Sequence, residues 1–167
     1  MTNEVSKLIV NKSETLTKGY LVAIEKPGKD PKVPLSYRPV ILLSAYRKLV
    51  SQILLNRIEP ILENTMLPNQ FAYRSGRSTG DIVLPHKYFV LAARTKRLEI
   101  VCAGIYMSKA FDTVDRKKLS EILKKRGVQK WDVILIVTLL TNTSLSIKQG
   151  KQISNVFKTN TGVPQGD

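Results

Sequence analysis

The sequence has few of the residues on which several classes of protein depend. It contains one cysteine, Cys102, and one histidine, His86, among 167 residues. A single cysteine cannot form a disulfide within the chain or a zinc cluster, and a single histidine leaves little material for histidine-based catalysis. No run approaches the ~20 apolar residues of a membrane span, and the first four residues are not typical of a signal peptide. We therefore expect an intracellular protein, nuclear or cytoplasmic, with no membrane partner.

Acidic residues are also scarce relative to basic ones. The chain has 27 Lys and Arg against 13 Asp and Glu, a net charge of +14 and a pI of about 10.0. Such an excess usually marks a polyanionic partner, most often nucleic acid, although a solvated basic surface would give the same composition. The basic residues lie along the whole chain, with clusters at 94–97 and 116–126. This distribution favours a broad positive surface over a localisation tag.

The patterning of apolar residues predicts an α+β fold. The length fits one domain, large enough to bury on the order of 70% of its unfolded surface. Strand-like runs and helical spacings mix without strict βαβ alternation. The predicted strands are 20–24, 37–43, 71–74 and 99–106. The predicted helices are 3–11, 44–62, 80–97, 115–126 and 131–141, and a hairpin is expected from 145–148 and 153–158 around Gln149-Gly150.

Several residues predict where these elements begin and end. Ser44 and Asp115 are suited to N-caps, and Gly127 to the position after a helix. The loop 75–79 can cap the helix that follows it. Pro60 lacks an N–H, so it should kink or end its helix near residue 59.

Five short motifs follow one another along the chain. They are Lys26-Pro-Gly-Lys-Asp30, Ser36-Tyr-Arg-Pro-Val-Ile-Leu-Leu-Ser44, Asn69-Gln-Phe-Ala-Tyr-Arg-Ser-Gly-Arg-Ser-Thr79, Ser108-Lys-Ala-Phe-Asp112 and Thr161-Gly-Val-Pro-Gln-Gly-Asp167. In this order they resemble the reverse transcriptase of a non-LTR (LINE-like) retrotransposon, over roughly residues 20–167. The resemblance implies part of a right-hand polymerase: a lead-in over 1–19, fingers over 20–98 and a partial palm over 99–167.

The resemblance also implies partners and site residues. The family is an RNA-directed DNA polymerase that uses Mg²⁺, dNTPs and an RNA or DNA primer–template. Lys26 and Arg38 match positions that meet the incoming triphosphate, for which a cationic Arg fork is suited. The alternatives are a solvated turn lysine for Lys26 and an arginine in a salt bridge at a strand edge for Arg38. Arg74 and Arg77 match a loop that approaches the template or nucleotide, and the alternative is an ordinary exposed loop.

Three further positions match residues around the nucleotide. Phe111 corresponds to the bulky residue under the incoming sugar, where it would favour dNTPs, or else it is a core side chain. Gln165 and Gly166 correspond to the loop that orders nucleotide and template, or else form a simple turn. Asp112 follows as the pattern requires, with a structural hydrogen bond near the helix start as its more ordinary role.

One position departs from the family. The residue six before Asp112 is a metal-binding aspartate in the family, and here it is Tyr106. Two-metal chemistry places the ions ~3.5–4 Å apart and needs carboxylates to balance their charge, whereas a tyrosine oxygen is neutral at pH 7. The chain reaches Asp167 before any pair of adjacent aspartates, and neither Asp112, Asp115 nor Asp167 is placed to substitute. We therefore expect no intact catalytic residue, no productively bound metal and no activity.

Other functions remain compatible with the same sequence. The chain could be a non-catalytic nucleic-acid-binding module, or a subunit that completes or blocks a full-length polymerase. Self-association is also expected, because strand 99–106 and hairpin 145–158 would expose unpaired edges.

Overall fold

A computed structural model of the protein describes residues 14–165. These residues form an α+β fold with a mixed sheet, as the patterning predicted. They divide into two compact units, one made of the chain up to Ile61 and from Lys109 onward, the other of Leu62–Ser108. The helix predicted over 3–11 lies outside the described residues. Among the described helices, none is long and apolar enough to cross a membrane.

The first unit is built on a five-stranded sheet in the order β2-β1-β3-β4, with β5 also paired to β3. β1 and β2 are antiparallel neighbours, whereas β1 and β3 are parallel, with Gly19 opposite Leu145. β4 and β5 pair with opposite ends of β3. The strands are β1 (Lys18–Glu25), β2 (Tyr37–Leu43), β3 (Ser144–Gln149), β4 (Gln152–Ile153) and β5 (Phe157–Lys158).

Helices of the first unit enclose an apolar core. They are α1 (Glu14–Thr17), α2 (Ala45–Glu63), α4 (Arg116–Lys125) and α5 (Lys130–Asn142), and a 3₁₀ turn covers Pro34–Ser36. Leu16, Val50, Leu54 and Leu139 form a buried cluster that joins α1, α2 and α5. Because apolar side chains from three helices leave water together here, this cluster fixes the helices against one another.

Two arginines of α2 tie these helices together by polar contacts. Arg47 is only 1% exposed, and its Nη1 donates to the carbonyls of Leu16 (3.3 Å) and Leu139 (3.2 Å). Arg57 pairs with the buried carboxylate of Asp132, at 3.1 Å, in the first turn of α5. A carboxylate is favourable at this end of a helix, so the ion pair and the helix dipole act in the same direction.

Most predicted boundaries in the first unit are confirmed. Ser44 Oγ accepts a hydrogen bond from the Arg47 amide, so it caps α2. Asp115 caps α4, and Gly127 ends that helix with φ of +83°. The hairpin forms with Gly150 in its turn. The predicted end of α2 near residue 59 is wrong, because the helix continues through Pro60 to Glu63. Only the backbone hydrogen bond that Pro60 cannot donate is missing.

The second unit contains one long helix, α3 (Gly80–Thr95). The N-cap residue Thr79 makes no side-chain capping hydrogen bond, so the capping expected from the loop 75–79 is not seen. Instead, the Asp81 carboxylate in the first turn of the helix accepts hydrogen bonds from the amide and the hydroxyl of Ser78. The helix ends at Thr95, two residues earlier than predicted, because Arg97 adopts φ of +53° and the Leu98 amide returns to the Ala93 carbonyl. This is a Schellman ending with arginine where glycine is usual.

Both strands predicted in the second unit are absent from its described residues. Residues 71–74 form turns, because Tyr73 has φ of +59° and the Arg74 guanidinium draws together the carbonyls of Leu67 and Gln70. Residues 99–107 are irregular, since no strand among residues 14–165 pairs with them. A lone strand leaves its backbone groups unpaired and is not stable by itself.

Candidate functional site

The motif around Asp112 is a compact turn that leads into α4. The Asp112 and Thr113 amides both donate to the Lys109 carbonyl, at 3.0 and 3.1 Å, and Lys109 has φ of +54°. Asp115 then accepts from the amides of Lys118 and Lys117, and these hydrogen bonds lower the pKa of its carboxyl below the usual range. Within residues 14–165 the hydrogen bonds of Asp112 involve only its backbone, so a structural role for its carboxylate stays a prediction.

The motif near the end of the described chain docks onto this turn. Gly162 donates its amide to the Val114 carbonyl, and Val163 donates to the Phe111 carbonyl, both at 2.9 Å. The Thr161 hydroxyl donates to the Asp112 carbonyl at 3.2 Å. Two sequence motifs about fifty residues apart are thus joined mainly through their backbones. We call residues 159–165 the docking segment.

Gly162 permits this close approach. Its φ is +81°, and a Cβ atom there would lie 2.8 Å from the Asp112 carbonyl oxygen and 3.0 Å from that of Phe111. Real Cβ atoms do not come so close to backbone, and L-residues avoid this φ. Glycine is therefore required here on two independent grounds.

Arg116 holds the docking segment from the helix side. Its guanidinium donates to the carbonyls of Gly162 (2.9 Å), Thr159 (2.7 Å) and Thr161 (3.0 Å), and to the Thr159 hydroxyl (2.7 Å). Partial burial lowers the pKa of this guanidinium, which is still cationic at any physiological pH. Because the Arg116 guanidinium donates these hydrogen bonds to the docking segment, Arg116 holds that segment against α4 and has a structural role here.

The docking segment also covers one face of the sheet. The Gln165 carbonyl accepts from the Ile41 amide of β2 at 2.9 Å. Beneath it lies a cavity of about 280 Å³. Its walls are apolar side chains of the sheet and of α5 on one side, and the Asp112 turn with Arg116 on the other; they include Leu21, Pro39, Ile41, Leu140 and Leu145.

The two cations expected at a triphosphate lie apart from this cavity. Strand side chains alternate between faces, so Arg38 projects from the face opposite Pro39 and Ile41, which line the cavity. Arg38 is exposed and lies across from Ile24 in β1. Lys26 follows β1, and its Nζ donates to the Leu35 carbonyl at 2.8 Å. Gln165 belongs to the docking segment, the Phe111 carbonyl accepts from the Val163 amide of that segment, and Gly166 lies outside the described residues.

In the second unit, the loop arginines Arg74 and Arg77 differ in the exposure and the partners of their side chains. The Arg74 side chain is only 7% exposed, and its guanidinium contacts both carboxylate oxygens of Glu63 and two carbonyls. This hydrogen bonding raises the pKa of Arg74 and lowers that of Glu63. Arg77 instead lies over the Phe71 ring, 5.9 Å from its centroid, on an exposed stretch. Arg77 can reach a ligand, whereas Arg74 closes its own loop.

Tyr106 lies on the irregular segment 99–107. Its side chain is 92% exposed, and those of Val101 and Ile105 are 94% and 95% exposed. Within residues 14–165, the backbone amides of this segment donate no hydrogen bond. We call residues 99–107 the Tyr106 segment.

Comparison with known proteins matches the chain to one family. The family model of reverse transcriptase (RNA-dependent DNA polymerase) matches residues 24–167. The chain belongs to the reverse transcriptase family. It is 32% identical over 149 residues to the probable RNA-directed DNA polymerase from transposon BS of Drosophila melanogaster, which covers 87% of this chain and 16% of that protein.

Two further retrotransposon proteins are similar to this chain. The retrovirus-related Pol polyprotein from the type-1 retrotransposable element R2 of Popillia japonica is 26% identical over 86% of this chain and 20% of its own length. The probable RNA-directed DNA polymerase from transposon X-element of D. melanogaster is 26% identical over 89% of this chain and 16% of its own. The chain thus spans a fifth or less of these relatives. The prediction of a partial non-LTR retrotransposon reverse transcriptase is confirmed.

Reverse transcriptases as a family require a divalent metal, and the residues here do not fit one. In the described part of the chain, no group of three or more His, Cys, Asp and Glu residues could hold a metal ion. The resemblance predicts a metal-binding carboxylate at the position of Tyr106, and hard cations such as Mg²⁺ prefer charged oxygen ligands to a phenol. No catalytic step is assigned to a metal in this chain.

Sequence reasoning found the two docked motifs but missed what joins them. The sequence marks Arg116 only as part of a basic cluster, and Gly162 only as part of a family motif. A glycine before Val-Pro is a weak local signal for a special backbone conformation. Nothing local marks Arg116, because its partners lie 43–46 positions away along the chain.

Proposed function

We propose that this chain is a reverse transcriptase domain that binds nucleotide and nucleic acid but does not transfer nucleotides. The observation that carries the proposal is Tyr106, which replaces the metal-binding carboxylate in a family whose chemistry depends on it. The inactivity of this chain is part of the proposal, and so is the polymerase activity of its longer relatives.

In this proposal each motif keeps its family role. Residues 20–98 correspond to fingers and 99–167 to the beginning of a palm, with residues 1–19 as a lead-in. Lys26 and Arg38 would meet the triphosphate, Phe111 the sugar, and Gln165 with Gly166 the nucleotide and template. The docked geometry supports the last two assignments, because it fixes the backbone at Phe111 and Gln165.

Nucleotide incorporation tests inactivity. Pure protein is given primed RNA or DNA, dNTPs and either Mg²⁺ or Mn²⁺. We expect no extension, and template-dependent extension would contradict the proposal. Tyr106→Asp should not rescue this chain, because one carboxylate cannot hold two metal ions. The same substitution in a chain whose reading frame continues past Asp167 should raise incorporation.

Salt-dependent binding tests the nucleic-acid role. With about four phosphates neutralised, log K should fall against log[salt] with a slope of roughly −3 to −4. Arg38→Ala and Arg77→Ala should weaken binding and flatten the slope by about one each. Arg74→Ala should weaken it too, but through loss of the loop closed on Glu63, so it should also expose that loop to protease. Binding that does not respond to salt would count against this role.

A second candidate function rests on the Tyr106 segment. Its apolar side chains, Val101, Ile105 and Met107, are 94%, 95% and 71% exposed, an arrangement that favours association. We propose that this segment pairs with a second copy or with a full-length polymerase. Sedimentation at moderate salt should show self-association, and Ile105→Lys should reduce it. A clean monomer with one sharp melting transition would argue for a self-contained binding module instead.

A further inference from the structure

A second basic surface lies on the first unit, away from the motifs that identify the family. A groove of about 610 Å³ is lined by α4, the end of α5 and residues 158–160 at the end of β5. Four basic side chains line it against one acidic side chain, Glu121. Hydroxyls and amides fill much of the remaining wall, among them Ser120, Thr141 and Asn160.

The spacing of its lysines follows the helix repeat. Lys117, Ser120, Glu121 and Lys124 lie three or four residues apart, so they form one stripe on α4. The two lysines are separated by seven residues, about 10 Å along the helix axis. One strand of a duplex places about three phosphates over that distance.

Helix stability alone does not account for these charges. A cation near a helix C-terminus is favoured by the dipole, which explains Lys124 in the last turn. Lys117 lies at the opposite end, where the dipole disfavours a cation. In the described residues, neither Lys124 nor Lys158 forms a salt bridge. The lysine charges of the groove are therefore available to a ligand, whereas Arg116 is bonded to the docking segment.

We propose that this groove binds the phosphate backbone of a nucleic acid strand, independently of Arg38 and Arg77. Lysines act as point charges for phosphates, and the neighbouring hydroxyls and amides can donate to phosphate or sugar oxygens. The groove shares Arg116 and Thr159 with the cavity under the docking segment. A strand bound here would thus lie against the residues that hold that segment.

The test compares two pairs of lysines on the same helix. Lys117→Gln with Lys124→Gln removes two charges from the groove, and Lys118→Gln with Lys125→Gln removes two charges from α4 outside it. Binding of a fluorescent oligouridylate of about 12 nucleotides is measured by anisotropy from about 50 to 200 mM salt. We expect the groove pair to lower affinity roughly tenfold and to flatten the salt slope by about 1.4, with a clearly smaller change for the control pair. Equal losses, or no binding, would overturn the proposal.

A variant that is expected to raise affinity separates an effect on binding from an effect on folding. Glu121→Gln removes the one carboxylate of the groove and should tighten binding about twofold to threefold, whereas Glu25→Gln on β1 removes the same charge outside it. A gain of affinity cannot come from an unfolded chain. No gain, or the same gain in both variants, would contradict the groove. Polyglutamate of matched charge should displace the oligonucleotide poorly; displacement at equal charge concentration would assign the groove to acidic proteins and overturn its assignment to nucleic acid.

Discussion

The Asp112 turn and the Tyr106 segment are neighbours in the sequence, yet they are held very differently. The turn and the docking segment share two backbone hydrogen bonds, a hydroxyl bond and four bonds from Arg116. The amides of the Tyr106 segment donate no hydrogen bond within residues 14–165, and its apolar side chains face solvent. The residues that follow Ser108 are thus held by hydrogen bonds, whereas the amides of residues 99–107 before it are not.

The difference shows which part of the motif depends on its own neighbours. The backbone at Phe111 and Gln165 is fixed by hydrogen bonds inside the first unit, and none of these bonds involves the residue at position 106. The Tyr106 segment would need a pairing partner to form a strand, and the described residues do not provide one. The loss of catalysis proposed at Tyr106 would therefore leave the backbone at Phe111 and Gln165 in place.

The largest expected effect comes from Gly162→Ala. The added Cβ would meet the backbone of Asp112 and Phe111 while φ is held at +81°, so the docking segment should detach. We expect a loss of about 3 kcal/mol in the free energy of unfolding, measured by urea titration. Gly150→Ala is the matched control: its φ is +58° and nothing lies within 4 Å of a Cβ there, so it should lose only about 1–2 kcal/mol. Equal losses would show that the close approach is unimportant.

A smaller effect is expected for Arg116→Met. It leaves three carbonyls and the Thr159 hydroxyl without their donor, which should lower the free energy of unfolding by about 2 kcal/mol. Lys118→Met on the same helix should change it by no more than about 0.5 kcal/mol. Arg116→Lys should recover little, because one ammonium group cannot reproduce the guanidinium fork. Full recovery with lysine would show that charge alone holds the segment.

The smallest effect concerns acid sensitivity of the second unit. Arg74 lowers the pKa of Glu63, so the contact contributes stability above the usual glutamate pKa of about 4.3 and loses it as pH falls through the lowered value. The chemical shift of the Arg74 Nε–H should move toward that of a solvent-exposed arginine between about pH 5 and pH 2. Glu63→Gln should remove that pH dependence, and a transition that survives in this variant would assign it to another carboxylate.

Local chemistry predicted much of the first unit. Asp115 and Gly127 mark the ends of α4 by side-chain and backbone preferences that act within a few residues. Short apolar runs predicted β1 and β2, and a longer apolar run predicted α5. The family match added the order of the motifs. These features were readable because their causes lie within short stretches of sequence.

The rest depended on partners distant in the chain. The run 99–106 has the composition of a buried strand, but a strand also needs a neighbour. The sequence of 71–74 suggested extension, and Arg74 overrode it by binding Glu63, eleven residues away. The clamp by Arg116, the fit of Gly162 and the parallel pairing of β1 with β3 are likewise non-local. A single sequence carries no signal for such pairings.

Residue-resolved hydrogen exchange tests the central contrast most directly. The amides of Gly162 and Val163 should be strongly protected, because each donates to a carbonyl of the Asp112 turn. The amides of 101–107 should exchange within about tenfold of the rate in an unstructured peptide. That pattern is the result the account predicts. Protection of 101–107 equal to that of Gly162 would contradict it, since it would require a pairing for the Tyr106 segment.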